Sequence, residues 1–219
     1  MLIGKYKELG TDGIRFAVIT LRKVNFQMSE IKSISQKYTY QDYLDWPNDE
    51  RWEIIEGVAY NMTPAPRVRH QRISRNIEVI LVSEIRSKKK ECELFDAPTD
   101  VVFDQYNVVQ PDVFVICDNS KITEDNIQGA PDLIIEVTSP STSIKDKREK
   151  KQLYERFGVK EYIIIHPEDE LVERFNLEHE KYSAPEVFNW DETMKIESLG
   201  LDVNLWDIFE KQREEKEEV

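Results

Sequence analysis

The chain has 219 residues, 40% hydrophobic and 33% charged, with 43 acidic against 30 basic side chains and a net charge of −13. A chain of this length buries roughly 70% of its unfolded surface, so one hydrophobic core suffices and a wholly disordered chain is excluded. The acidic balance opposes a globally basic nucleic-acid surface, although a site holding divalent cations supplies positive charge locally.

No window holds the roughly 20 apolar residues of a membrane-spanning helix. The N-terminal apolar run, Phe16 to Leu21, is shorter than the roughly 7–15 residues of a secretory core. A cytoplasmic location without membrane contact is the expectation. Cys92 and Cys117 are too few for a secreted disulfide framework, and two reduced thiols are expected.

Residues 1–27 carry five basic and two acidic residues, unlike the acidic remainder. They read either as translated leader ahead of a true start at Met28 or as a strand hairpin around Phe16–Leu21. The expected organisation is an N-terminal extension, 1–37, a domain over 38–208 and a charged tail, 209–219. A helical turn is expected around Tyr40, Tyr43 and Leu44. Glu53–Met62 reads as a hairpin turning at Glu56-Gly57. After Pro64 and Pro66, the residues Ile73, Ile77, Ile80, Leu81 and Ile85 form one apolar helical stripe.

Three β-rich runs follow, Leu94–Phe103, Val108–Ile116 and Leu133–Val137, with a polar loop over Asp118–Gly129. A second helix is expected over Lys145–Phe157, capped by Ser141 or Thr142 and closed by Gly158. Tyr162–Ile165 is a further strand, so 133–165 forms a βαβ unit with a right-handed crossover. Leu171–Leu177 and Tyr182–Phe188 read as a trailing hairpin, and Glu210–Val219 as a solvated helix end. The fold class is α+β, a mixed β-sheet flanked by helices.

Two carboxylates stand where a strand should be apolar. Asp112 lies in Val-Val-Gln-Pro-Asp-Val-Phe-Val-Ile, and Glu136 in Pro-Asp-Leu-Ile-Ile-Glu-Val. A buried carboxylate needs a cation, a basic partner or water. Alternation puts Glu136 on the face of Ile134 and Thr138. If the two strands pair, both carboxylates converge on one hard divalent metal. Asp146, Lys150 and Tyr154 follow at i+4 steps. Spacing alone favours an exposed Asp146–Lys150 ion pair over a lysine that reaches back to the strand end.

Val109-Gln-Pro-Asp112-Val, Pro131-Asp-Leu-Ile-Ile-Glu136-Val-Thr-Ser-Pro-Ser-Thr142 and Asp146-x3-Lys150-x3-Tyr154-x3-Gly158-Val together resemble the Uma-type restriction endonuclease family of the PD-(D/E)XK nuclease superfamily. Tyr38–Tyr43, Trp52-Glu-Ile-Ile-Glu-Gly57, Met62-Thr-Pro-Ala-Pro66 with His70, Gly158-Val-Lys-Glu-Tyr162 and Leu199-Gly-Leu201 extend the resemblance over about 38–208.

The resemblance implies a restriction endonuclease-like fold and a Mg²⁺- or Mn²⁺-dependent endonuclease that hydrolyses DNA phosphodiester bonds. A catalytically inactive module binding nucleic acid or protein is the alternative, and RNA is a second substrate class. It implies Asp112, Glu136 and the main-chain carbonyl of Val137 as metal ligands and Lys150 as the catalytic amine, since Thr138 occupies the superfamily's usual lysine position. By analogy, two copies form a homodimer. Asp146 and Tyr154 border that constellation. His70 is expected to contact phosphate or to hold a metal ligand in place, Arg67, Arg69, Arg72 and Arg75 to contact phosphate, and Glu53 and Glu56 to add carboxylates on the metal side. His166 and His179 carry no assigned role.

Overall fold

The computed structural model describes residues 37–47, 49–62, 66–139 and 145–212. The chain divides into two units between Ile31 and Lys32, and every described residue belongs to the second. The readings of 1–27, of the caps Ser141 and Thr142, and of most of the tail lie outside the described residues.

A short helix α1 (Tyr40–Leu44) starts at Thr39, whose hydroxyl accepts from the Asp42 N–H while the Asp42 carboxylate accepts from the Thr39 N–H, a reciprocal capping box. Strands β1 (Trp52–Ile55) and β2 (Val58–Asn61) form the expected hairpin. Its turn needs glycine twice over at Gly57, where φ is +78° and an added Cβ would stand 2.9 Å from the Lys37 Cβ. Helix α2 (Val68–Ser87) then buries Ile73, Ile77, Leu81 and Ile85, the stripe read from the sequence.

The run Leu94–Phe103 is two strands, β3 (Glu93–Asp96) and β4 (Val101–Asp104), separated by a cis Ala97–Pro98 bond. The run Val108–Ile116 is likewise two, β5 (Asn107–Val109) and β6 (Val113–Ile116). The break falls at Gln110-Pro111-Asp112, where proline has no N–H to give a ladder. The polar loop contains a 3₁₀ turn at Asn119–Lys121 and a two-residue strand β7 (Ile127–Gln128).

Strand β8 (Leu133–Val137) leads to a π-helical turn, Asp146–Lys150, that continues as helix α3 (Lys151–Phe157) and ends at Gly158 with φ +82°. Strand β9 (Glu161–His166) then pairs in parallel with β8, completing the βαβ unit. The trailing hairpin becomes β10 (Leu171–Glu178), with both β11 (Lys181–Tyr182) and β12 (Glu186–Asn189) returning on it. A hairpin not anticipated from the sequence, β13 (Thr193–Ile196) and β14 (Leu201–Asn204), precedes α4 (Leu205–Ile208). Glu210 to Gln212 are not helical, contrary to the expected helix end.

The strands form a larger mixed sheet in the order β11-β10-β9-β8-β6-β3, with β12 also on β10, and a smaller sheet in the order β2-β1-β5-β4-β7. The architecture is the expected α+β class. One core packs the α2 stripe on Val113, Val115, Leu133, Ile135, Ile163 and Ile165 together with β13, β14 and α4. The other packs Leu153 and Tyr154 of α3 and Ile55, Val101 and Val109 of the smaller sheet on Phe114, Ile134, Tyr162 and Ile164. Neighbouring residues of β6, β8 and β9 thus face opposite cores, as strand alternation requires.

The expectation of two reduced thiols fails. Cys92 and Cys117 are not free thiols but a disulfide, with their Cα atoms 4.0 Å apart. They flank the last registered pair of β3 and β6, Glu93 with Ile116, so the pairing sets them face to face. A count of cysteines cannot anticipate such a register.

A buried carboxylate and lysine cluster as the candidate active site

Strands β6 and β8 are antiparallel, with Val113 opposite Ile135. Extending that register by one residue sets Asp112 beside Glu136. The Val137 N–H donates to Asp112 Oδ2 at 2.8 Å, and His70 Nε2, from the first turn of α2, lies 3.1 Å from the same oxygen. Ser74 Oγ stands 3.5 Å from His70 Nδ1, one helical turn on. Asp112 is therefore gripped from two elements.

From the opposite core, the π turn and α3 deliver Asp146, Lys150 and Tyr154. Lys150 Nζ lies 2.8 Å from Glu136 Oε1 and 2.8 Å from Glu53 Oε1, with Asp146 Oδ1 farther at 3.9 Å. The Tyr154 hydroxyl donates to Glu136 Oε1 at 2.8 Å. An exposed Asp146–Lys150 pair is not what forms: the Lys150 side chain is 2% exposed, and its nearest partners are on strands.

Glu53, in the middle of β1, is fully buried. It also takes the Lys145 ammonium at 2.6 Å and the Gln110 N–H at 3.1 Å. Its signal in the sequence was a lone carboxylate in Trp52-Glu-Ile-Ile, the same signal that marks Asp112 and Glu136. Nothing in the sequence singled out Lys145 or Gln110.

The electrostatics follow from crowding. Burial, opposed by the Lys150 ammonium and reinforced by the carboxylates of Asp112, Asp146 and Glu53, pushes the Glu136 carboxyl up to about 8. Burial also works against Glu53, but the ammoniums of Lys150 and Lys145 outweigh it and hold that carboxyl below its ordinary range. Burial alone would lower Lys150, whereas Glu136, Glu53 and Asp146 hold its ammonium well above the ordinary lysine range. Lys150 is accordingly a hydrogen-bond donor and a fixed positive charge, not a base.

Other sequence candidates lie elsewhere. Glu56 is exposed in the β1–β2 turn and pairs with Arg156, so it does not join the cluster. Arg67, the N-cap of α2, and Arg69, Arg72 and Arg75 on its surface are paired with glutamates. Thr138, at the usual lysine position, sets its hydroxyl 3.1 Å from His166 Nδ1 and donates it to the Ile165 carbonyl at 3.2 Å.

The Uma2 family model, described as "Putative restriction endonuclease", matches residues 40–206, most of the chain. This chain belongs to the Uma2 family. A further relative is the uncharacterized protein slr1290 of Synechocystis sp. (strain ATCC 27184 / PCC 6803 / Kazusa), 27% identical over 121 residues, 54% of this chain. The match takes in 62% of that protein's length. A crystal structure from Anabaena variabilis ATCC 29413, described as a putative nuclease belonging to DUF820, superposes with a TM-score of 0.66 at 21% identity. That alignment covers 78% of this chain and 97% of the other, and it shows a shared nuclease-like fold. Among the described residues, no helix is long and apolar enough to cross a membrane.

The donor set fits a hard divalent cation. Three carboxylates, Glu136, Asp146 and Glu53, gather round the Lys150 ammonium, Glu53 also takes Lys145, and Asp112 adds its repulsion at Glu136. Among the described residues, no group of three or more His, Cys, Asp or Glu side chains is arranged as a ready cage. Mg²⁺ rarely uses one, taking one or two carboxylates and completing its shell with water and substrate phosphate.

Proposed function

We propose that this Uma2-family chain is a metal-dependent endonuclease that hydrolyses phosphodiester bonds of DNA. The observation that carries the reading is the convergence of Lys150 on Glu136, beside Asp112, from separate elements that only the fold brings together. In this reading Asp112, Glu136 and the Val137 carbonyl would hold Mg²⁺ or Mn²⁺. When bound, that ion would lower the pKa of water and polarise the scissile phosphate.

The remaining work belongs to the chain. The Lys150 ammonium orients the attacking water and offsets charge that develops on the phosphate, acting in a dry site where such a charge is most effective. Glu53 and Tyr154 fix that amine and the Glu136 oxygen it touches, which limits reorganisation during the reaction. His70 holds Asp112 in place through the shared oxygen. Cutting both strands of a duplex calls for two copies of one site, so the proposal includes a homodimer, measurable by light scattering.

Incubating supercoiled and linear DNA, and matched RNA, with Mg²⁺ or Mn²⁺ tests the reading. Cleavage by the wild type that Asp112→Asn and Lys150→Ala abolish is the expected result. A second reading is favoured by Thr138, whose engagement with His166 and Ile165 leaves the customary lysine position without an amine. In that reading the chain binds nucleic acid without cutting it. Binding that survives Asp112→Asn, with no cleavage under any cation, would select it.

A further inference from the structure

Four arginines stand at the start of α2, the helix that carries His70: Arg67 at its N-cap and Arg69, Arg72 and Arg75 within its first two turns. Arg67, Arg69, Arg72 and Arg75 have side chains 44–72% exposed, and each faces a glutamate from another part of the chain. Glu168 and Glu170 come from the turn between β9 and β10, and Glu210 from just after α4. One contact, Arg69 to Glu170, is a formed hydrogen bond at 2.9 Å. The other four are loose. Arg67 and Arg69 each stand 3.9 Å from Glu168, while Arg72 and Arg75 stand 3.8 and 3.6 Å from Glu210.

Exposed pairs at such distances stabilise a fold by little, so strengthening the fold does not account for four of them at one helix end. A guanidinium fork donates two parallel hydrogen bonds to a phosphate and holds it more strongly than it holds a loose carboxylate. We propose that this ridge is where the nucleic-acid backbone lies and that Glu168 and Glu210 act as carboxylate latches, occupying the arginines until substrate phosphates displace them. The inference rests on nucleic acid being the substrate and adds how a chain of net charge −13 both binds it and restrains that binding. Each arginine exchanges one anion for another when nucleic acid docks, so weak binders are rejected while a backbone running over several arginines is retained.

The experiment measures fluorescence anisotropy of a labelled single-stranded 20-mer, as DNA and as RNA, in EDTA across a salt series. Glu168→Gln/Glu210→Gln is compared with Glu84→Gln/Glu124→Gln, which removes the same charge away from the ridge. The expected result is binding at least threefold tighter for the latch pair than for the control pair, on both oligonucleotides. Arg72→Ala/Arg75→Ala should weaken binding about tenfold and reduce the salt slope by roughly one to two units. Equal affinities of the two glutamate pairs, or arginine variants that bind like the wild type, overturn the ridge, as does binding of neither oligonucleotide by any variant. Mn²⁺ titration of the same proteins separates the failures: metal binding with an inert ridge removes this inference alone. A functional ridge on a protein that neither binds metal nor cleaves removes the catalytic reading instead.

Discussion

Lys150 and Glu136 meet at 2.8 Å in the interior, fourteen residues apart in the chain, one on the last residue of a π-helical turn and the other near the end of a central strand. A π turn carries one residue more per hydrogen-bonded ring than an α turn, and such turns recur at functional sites. Here the turn buries both Asp146 and Lys150 against the strand end and runs directly into the turn of α3 that holds Tyr154.

Lys150→Met should destabilise the protein by about 3–5 kcal/mol in urea unfolding, because it leaves Glu53 buried with the Lys145 ammonium alone. Lys150→Met/Glu53→Gln removes both charges and should recover part of that loss. If the double variant is as unstable as the sum of the two single variants, the pair is not an energetic unit.

Cation binding should release a proton. Between its ordinary 4.5 and about 8, the Glu136 carboxyl is protonated in the folded chain and ionised in the unfolded one. The folded state binds more protons there, so this group's contribution to stability falls as pH rises through that window. A divalent cation needs the ionised form, so affinity should climb with pH and level off near 8. Calorimetry at pH 6.5 in two buffers of different ionisation enthalpy should report nearly one proton released per ion. Identical heats in both buffers would refute the linkage.

The candidate site drew notice in the sequence because its chemistry contradicts its surroundings. Carboxylates at Asp112 and Glu136 inside apolar strands had to be compensated, and the helical stripe from Ile73 to Ile85 and the βαβ unit placed the supporting elements. The destination of Lys150 was not legible from spacing, since an i+4 carboxylate offered a simpler surface partner. The splitting of two long β runs between two sheets was equally hidden. Pro98 and Pro111 stand at the breaks, but which sheet each half joins depends on pairing partners far along the chain. The same holds for Cys92 and Cys117.

The Cys92–Cys117 bridge closes a loop spanning 25 residues across the β3–β6 pair. In the chain-entropy account, Cys92→Ser/Cys117→Ser should lower stability by roughly 3 kcal/mol. Alkylation of the denatured, unreduced protein followed by mass spectrometry should find no free thiol. Two labelled cysteines would show that the bridge does not form.

Glu53→Gln separates the two neighbours that compete for Lys150. The amide keeps an oxygen for the Gln110 N–H but loses the charge that repels Glu136 and draws Lys150 away from it. Both changes act in the same direction, favouring the ionised form of Glu136. The pH at which cation affinity levels off should therefore move below 8, and fewer protons should be released per ion at pH 6.5. An unchanged or raised midpoint in the Glu53→Gln variant would mean that Lys150 follows Glu53 rather than Glu136, and that burial alone sets the Glu136 carboxyl.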